Sequence, residues 1–187
     1  DAGGVVVVRA GIDWLWIDVG EVGLAGRGGH GHNDLLSFEL ALDGRPVVVD
    51  PGCYCYTADP VARDRFRGSA AHNGLIVDGH EMAELSGLWW IADDAKPESV
   101  SVTRDGEAVC VAAAHAGYAR LRDPVRHTRH FRFDTGARLL TLSDRLHCGG
   151  SHEVTRFLHL SPGLRLIIEG HRAWVTDDTA GHAVAEV

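Results

Sequence analysis

The chain of 187 residues has one methionine, four cysteines and no long apolar run, and each scarcity removes a class of protein. Its longest apolar stretches, Val5 to Val8 and Val47 to Val49, end in charge and fall far short of the roughly 18 residues that cross a bilayer. No membrane span is expected. Cys53, Cys55, Cys110 and Cys148 are too few for a fold built on disulfides, and none stands in a C-x-x-C metal pair. Positive charge is also short: 18 Lys+Arg against 26 Asp+Glu leave a formal −8, which argues against nucleic acid as a partner. The start at Asp1-Ala2-Gly3, without initiator Met, basic leader or apolar signal segment, suggests a piece of a longer protein.

Glycine, by contrast, is abundant at 23 residues, with Asp-Gly and Glu-Gly pairs punctuating β-branched and aromatic runs. With 45% apolar and 24% charged residues, the composition is that of one globular domain over 1–187 and excludes disorder, collagen and coiled coil. Strands are expected at Val5 to Arg9 and Trp14 to Val19, and Phe38 to Leu42 with Pro46 to Asp50 forms a hairpin about Asp43-Gly44. A helix face of Leu35, Phe38 and Leu42 is the alternative there, disfavoured by the flanking Gly and the turn. The same grammar recurs at Leu75 to Val77, Ser99 to Arg104, Glu107 to Ala114, Val125 to Phe133, Arg138 to Leu146, Val154 to Leu160, Leu164 to Glu169 and Ala173 to Thr176. Roughly a dozen strands joined mostly in sequence predict an all-β fold, a large antiparallel β-sandwich of stacked sheets. Thr57 to Ser69 has no clean period and reads as a long loop or a short helix. In Val125 to Phe133, His127, Arg129, Phe131 and Phe133 share one face. Arg126, Thr128, His130 and Arg132 share the other. Neither face is purely apolar, so one sheet face is expected to be a wet groove.

Of the twelve histidines, His80, His115, His171 and His182 are isolated and read as solvated or hydrogen-bonded bystanders. The stretch GRGGHGHNDLLSFEL, 26–40, is different: its glycines (Gly26, Gly28, Gly29, Gly31) permit close approach to a ligand. In extended backbone, His30 and His32 would project to one face. Farther on come Asp50 and then His72. Two imidazoles and a carboxylate suit a divalent metal, zinc in particular; the plainer alternative has Asp50 capping the Pro51-Gly52 turn. Arg63, Arg65 and Arg67 lie between Asp50 and His72, as guanidinium forks suited to carboxylate or sulfate. Tyr54 and Tyr56, in the same stretch, could move protons or stack on a sugar.

The pieces GHGHNDLLSFEL, RPVVVDPGCYCY and RDRFRGSAAHNGLIVDG, with HTRHFRFDTGARLLTLSDRL and HEVTRFLHLSPG farther on, resemble the C-terminal β-sheet domain of the heparinase II/III family of polysaccharide lyases. The resemblance implies a sandwich preceded in full-length enzymes by an α/α toroid, β-elimination on uronate-containing polysaccharide in the cleft between the two, and a periplasmic or secreted setting. It implies zinc, largely structural, on His32, Asp50 and His72, and a catalytic-site role for His30. Tyr54 or Tyr56 and Arg65 or Arg67 border the cleft in this likeness, with Asn73 beside them. The principal tyrosine of the family comes from the toroid, so this piece alone is expected to turn over little. A homodimer is compatible with it.

Two rivals stand beside that reading. Cupins hold metal with H-x-H, a glutamate and a later histidine, but Glu39 lies too far beyond His32 for that motif. A non-catalytic carbohydrate-binding sandwich would use Trp14, Trp16, Trp89, Trp90 or Trp174 as stacking platforms, although half-buried aromatics are more often core.

Overall fold

The computed structural model describes residues 4–25, 27–178 and 183–187; Gly26, His182 and the start at Asp1-Ala2-Gly3 lie outside them. Fifteen strands are present among the described residues. The first sheet is a meander of β1 (Val5–Ala10), β2 (Asp13–Asp18), β3 (Phe38–Leu42) and β4 (Arg45–Val48), in the order β1-β2-β3-β4. The β3–β4 turn is the expected one: Asp43 and Gly44 both take positive φ, 53° and 72°, the conformation a two-residue hairpin requires. Helix α1 (Pro60–Arg67) and a 3-10 turn (Ser69–Ala71) follow, then β5 (Leu75–Val77) and the short pair β6 (Leu85–Ser86) and β7 (Trp90–Ile91). The second large sheet, ordered β11-β10-β9-β8, consists of β8 (Glu98–Asp105), β9 (Ala108–Tyr118), β10 (Val125–Asp134) and β11 (Leu139–His147). β12 (Val154–Arg156) pairs with β5, while β13 (Leu164–Glu169), β14 (Arg172–Asp177) and β15 (Ala183–Glu186) form a last sheet. All pairings are antiparallel, and the inner faces of the two large sheets meet across Phe38 and Phe131, whose rings make an edge contact at 5.8 Å.

Of the two readings of 57–69, the short helix is the one found: α1 is started by Asp59, whose Oδ1 accepts from the Val61 and Ala62 amides (3.0 Å each), with Pro60 next in the first turn. Two expectations need correcting. The strand expected at Val154 to Leu160 stops at Arg156, and beyond it only Leu160 bridges back to Val48. While Arg126, Thr128, His130 and Arg132 on the other face of β10 are half-buried or exposed, the face that carries His127, Arg129, Phe131 and Phe133 is core and not a wet groove, all four being buried. Their polar atoms are satisfied there by one another and by Asp144. The Gly117 amide donates to His115 Nδ1 (3.1 Å), so the His115 proton sits on Nε2 facing His127 Nδ1 (3.2 Å); His127 Nε2 then donates to Asp144 Oδ1 (2.8 Å). Arg129 forks onto the same carboxylate at 2.6 and 3.0 Å. Its Nη1 crosses the sandwich to the carbonyls of Leu36 (2.9 Å) and Asn73 (2.6 Å).

Candidate functional site

Three segments leaving the first sheet bring the candidate residues together. His30, His32 and Asp34 lie between β2 and β3; Asp50, Tyr54 and Tyr56 follow β4; His72 follows the 3-10 turn. The first segment is a bent loop rather than extended backbone. Gly31 packs on the backbone of Gly23, where a Cβ would come within 2.6 Å of the Gly23 Cα, and the Asn33 amide donates to the Arg67 carbonyl (2.8 Å). The two histidines therefore part company: His32 is buried and His30 is exposed.

His32 lies against His72, with ring centroids 5.3 Å apart, and one donor atom from each of His32, Asp34 and His72 falls within 4.8 Å of the others. Two of the three expected ligands thus meet, but the carboxylate grouped with them is Asp34. Asp50 stands behind His72, its Oδ2 2.5 Å from Nδ1, while its Oδ1 accepts from the Gly52 amide at 2.8 Å, so the turn-capping alternative is also realised. A carboxylate on one imidazole nitrogen orients the ring so that the other faces the cluster.

That other nitrogen, His72 Nε2, is buried and has no hydrogen-bond partner among the described residues. Burial, with help from His72, takes the His32 pKa down to about 4, so its imidazole is neutral with a lone pair to offer at neutral pH. Burial and the neighbouring Asp18 take Asp34 up to about 7. Burial would lower His72, but its hydrogen bond to Asp50 and the surrounding carboxylates outweigh that and raise it; Asp50 is lowered in turn, His72 outweighing burial. An orphaned nitrogen, a neutral imidazole and crowded carboxylates fit a divalent cation, with His32, His72 and the flanking Asp34 and Asp50 as the available donors.

Of the two tyrosines, Tyr56 is the one beside His30, its hydroxyl hydrogen-bonded to Nδ1 at 3.1 Å and its ring edge-on at 5.4 Å. Tyr54 is 72% exposed and stacks instead on Phe66, at 4.9 Å. Arg65 is exposed on α1 and lines a cavity of about 330 Å³ with Pro51, Phe66, Ala70, Ala71 and His159. Arg67 and Asn73, expected at the substrate, are instead structural. Arg67 is buried, with Nε on Asp64 (2.9 Å) and its other nitrogens on the carbonyls of Gly87, Leu88 and Trp90. Asn73 donates to the Phe38 and Val49 carbonyls (2.8 and 3.0 Å) and accepts from the His159 amide (2.7 Å). No polar group of either side chain is left to meet a ligand.

Asp34 and Arg129 escaped the sequence-based assignment. Only Asp34 carried a signal, two residues beyond His32 in the same glycine-rich motif. Arg63, grouped in the sequence with Arg65 and Arg67 as a fork for carboxylate or sulfate, is 1% exposed.

The family model described as "Heparinase II/III-like, C-terminal" matches residues 1–186. No curated protein matches the chain. Among solved structures, the heparan sulfate lyase HepC from Pedobacter heparinus is similar, with a TM-score of 0.73 at 16% identity over 92% of this chain and 26% of that one. The heparinase III BT4657 gene product follows at 0.69 and 16%, over 91% and 25%. Another heparinase III gives 0.65 and 18%, again over 91% and 25%. The chain spans about a quarter of the length of these structures, and at such identities the likeness is one of fold.

Proposed function

The chain belongs to the heparinase II/III-like family, matching its C-terminal β-sheet domain, and from that premise we propose that it supplies one wall of the active site of a polysaccharide lyase. The substrate is a uronate-containing polysaccharide, cleaved by β-elimination between this domain and an N-terminal α/α toroid, in the periplasm or outside the cell. The observation that carries the reading is the exposed, hydrogen-bonded His30–Tyr56 pair, whose His30 shares the β2–β3 loop with His32 and Asp34 of the cluster that His72 completes.

Elimination removes the proton from C5, turns that electron pair into the C4–C5 double bond and breaks the C4–O4 bond, with a proton delivered to O4. The adjacent carboxylate must be neutralised for C5 to become acidic. His30, exposed beside the cleft, donates to that carboxylate, and Tyr56, in contact with its Nδ1, moves the proton. Tyr54, turned onto Phe66, has no such partner. His32 and His72, with a carboxylate from Asp34 or Asp50, would hold a zinc ion, whose contribution would be to lock the glycine-rich loop and so fix the place of His30.

The test uses the parent protein on a panel of uronate polysaccharides, followed by ultraviolet absorbance of the unsaturated product. His30→Ala and Tyr56→Phe should each lower the rate by about 10²-fold or more, and full activity in His30→Ala would refute the catalytic assignment. Elemental analysis of the purified chain should find one zinc, absent from His72→Ala, and comparison of Asp34→Asn with Asp50→Asn identifies the carboxylate ligand. A metal-free wild-type chain would refute the metal site. A non-catalytic carbohydrate-binding role is the second reading, favoured by the exposed Trp89 and Trp90. It predicts lost polysaccharide retention on tryptophan substitution with unaltered cleavage in His30→Ala.

A further inference from the structure

Arg63 is a buried cation with no counter-ion among the described residues. Its side chain projects from α1, its Nε donates to the Leu88 carbonyl (2.9 Å), and its Nη2 donates to the carbonyls of Gly28 (3.3 Å) and Gly29 (2.9 Å). Nη1 is buried and has no partner, and no carboxylate lies within ion-pair distance of Arg63 among the described residues. The guanidinium is held between two rings, Tyr56 at 4.9 Å and Trp89 at 5.2 Å, and Trp89 also packs on Gly29, the residue before His30. Those two rings are themselves partly exposed, Tyr56 by 37% and Trp89 by 46%.

Arg67, one turn along the same helix, shows how this protein ordinarily treats such a group: all its nitrogens are engaged, and Asp64 neutralises it. The chain has an excess of acidic residues, yet none of the described ones lies within ion-pair distance of Arg63. An unpaired buried charge is unfavourable, and aromatic faces compensate it only in part. A guanidinium held by three carbonyls, with one nitrogen unused and a partly exposed indole centred 5.2 Å from it, is preorganised for an oxyanion.

We propose that Arg63 is the anion-recognition residue of the His30–Tyr56 cleft, taking a carboxylate or sulfate of an acidic sugar on Nη1 as Trp89 swings aside to stack on the sugar ring. Trp89 moves rather than Tyr56 because Tyr56 is held by His30, whereas the indole has no hydrogen-bond partner among the described residues. The proposal rests on the reading of this cleft as a site for acidic polysaccharide.

The test is calorimetric titration of the chain, with tryptophan fluorescence followed in parallel, using three tetrasaccharides. One carries glucuronate without sulfate, one carries sulfate on neutral sugars, and one is cellotetraose. At least one acidic probe should bind tenfold or more tightly than cellotetraose and change the fluorescence. Arg63→Gln should weaken that binding at least tenfold and leave cellotetraose unaffected; the acidic probe that suffers identifies the group recognised. Because Arg63 also braces the loop, Trp89→Ala serves as the second variant, with all the arginine's hydrogen bonds in place. It should bind inorganic sulfate or free glucuronate more tightly than the unmodified chain, and the tetrasaccharide more weakly. Failure of the unmodified chain to prefer an acidic probe overturns the proposal, as do equal losses for acidic and neutral probes in Arg63→Gln or an unchanged Trp89→Ala. If acidic binding depends on Arg63 while the parent releases no unsaturated uronate, the lyase reading fails and this one stands. Lyase activity with Arg63-independent binding gives the converse.

Discussion

Asp144→Asn should be among the most damaging single substitutions in the protein. The carboxylate is nearly buried and accepts from Arg129 at 2.6 and 3.0 Å, from His127 at 2.8 Å and from Arg156 at 2.7 Å. Asparagine keeps one acceptor but turns an amide toward a buried guanidinium that no longer has a counter-charge. Removing one partner of a buried ion pair costs about 3–5 kcal/mol, and for a chain of this size each kcal/mol lowers Tm by about 2–4 °C, so the midpoint should fall by about 6–20 °C. Its pKa is lowered because the hydrogen bonds from His127 and Arg129 outweigh burial. That stabilisation is therefore present above the unfolded carboxyl value and disappears as pH falls through the folded one, and Asp144→Asn should flatten the most acidic limb of the stability profile. Urea unfolding followed by tryptophan fluorescence measures both effects. The double variant Arg129→Met, Asp144→Leu should lose less than Asp144→Asn, since it leaves no buried guanidinium without a counter-charge, although His127 Nε2 and the carbonyls of Leu36 and Asn73 lose these partners. A loss below about 1 kcal/mol in Asp144→Asn would refute the view of this network as a pillar of the fold.

Two further outcomes follow from the same geometry. Burial takes the His115 pKa down to about 3, so the unfolded chain takes up a proton near pH 6.5 that the folded chain refuses. Between pH 7 and 5 this should remove about 2 kcal/mol of stability. His152, raised chiefly by its hydrogen bond to Asp78, contributes in the opposite direction: its part is present below pH 6.5 and lost as pH rises through the raised value. Urea melts at pH 7 and 5 on the wild type and His115→Gln measure the difference, and equal acid slopes would refute it. Gly31→Ala forces a Cβ onto the Gly23 backbone and should destabilise by about 1–3 kcal/mol while weakening zinc binding. A neutral effect on both would show that the loop can yield.

Much of this organisation was readable from pattern. Asp43-Gly44 between alternating apolar runs specified a hairpin because only that turn suits two positive φ values, and the 26–40 motif pointed to a candidate site through its glycines and paired histidines, of which His32 is buried and His30 exposed. Partnerships between distant segments were not readable. The alternation in β10 placed His127 and Arg129 on the same face as Phe131 and Phe133, but the choice between groove and core depended on Asp144 arriving from β11. Local spacing also could not separate the two tyrosines, because Tyr54 and Tyr56 differ only in what lies opposite: Phe66 from the helix and His30 from the loop.

The amino-acid order by itself determined the strands, the turns and the family, since these depend on backbone propensity and on periodicity over a few residues. Only the packed chain decided which arginine has no carboxylate beside it among the described residues and which is a structural tie. It also decided which aspartate lies within the histidine cluster and which stands behind it. Both are matters of burial and of a few ångströms between residues far apart in sequence, where desolvation makes a missing partner unfavourable and a present one decisive.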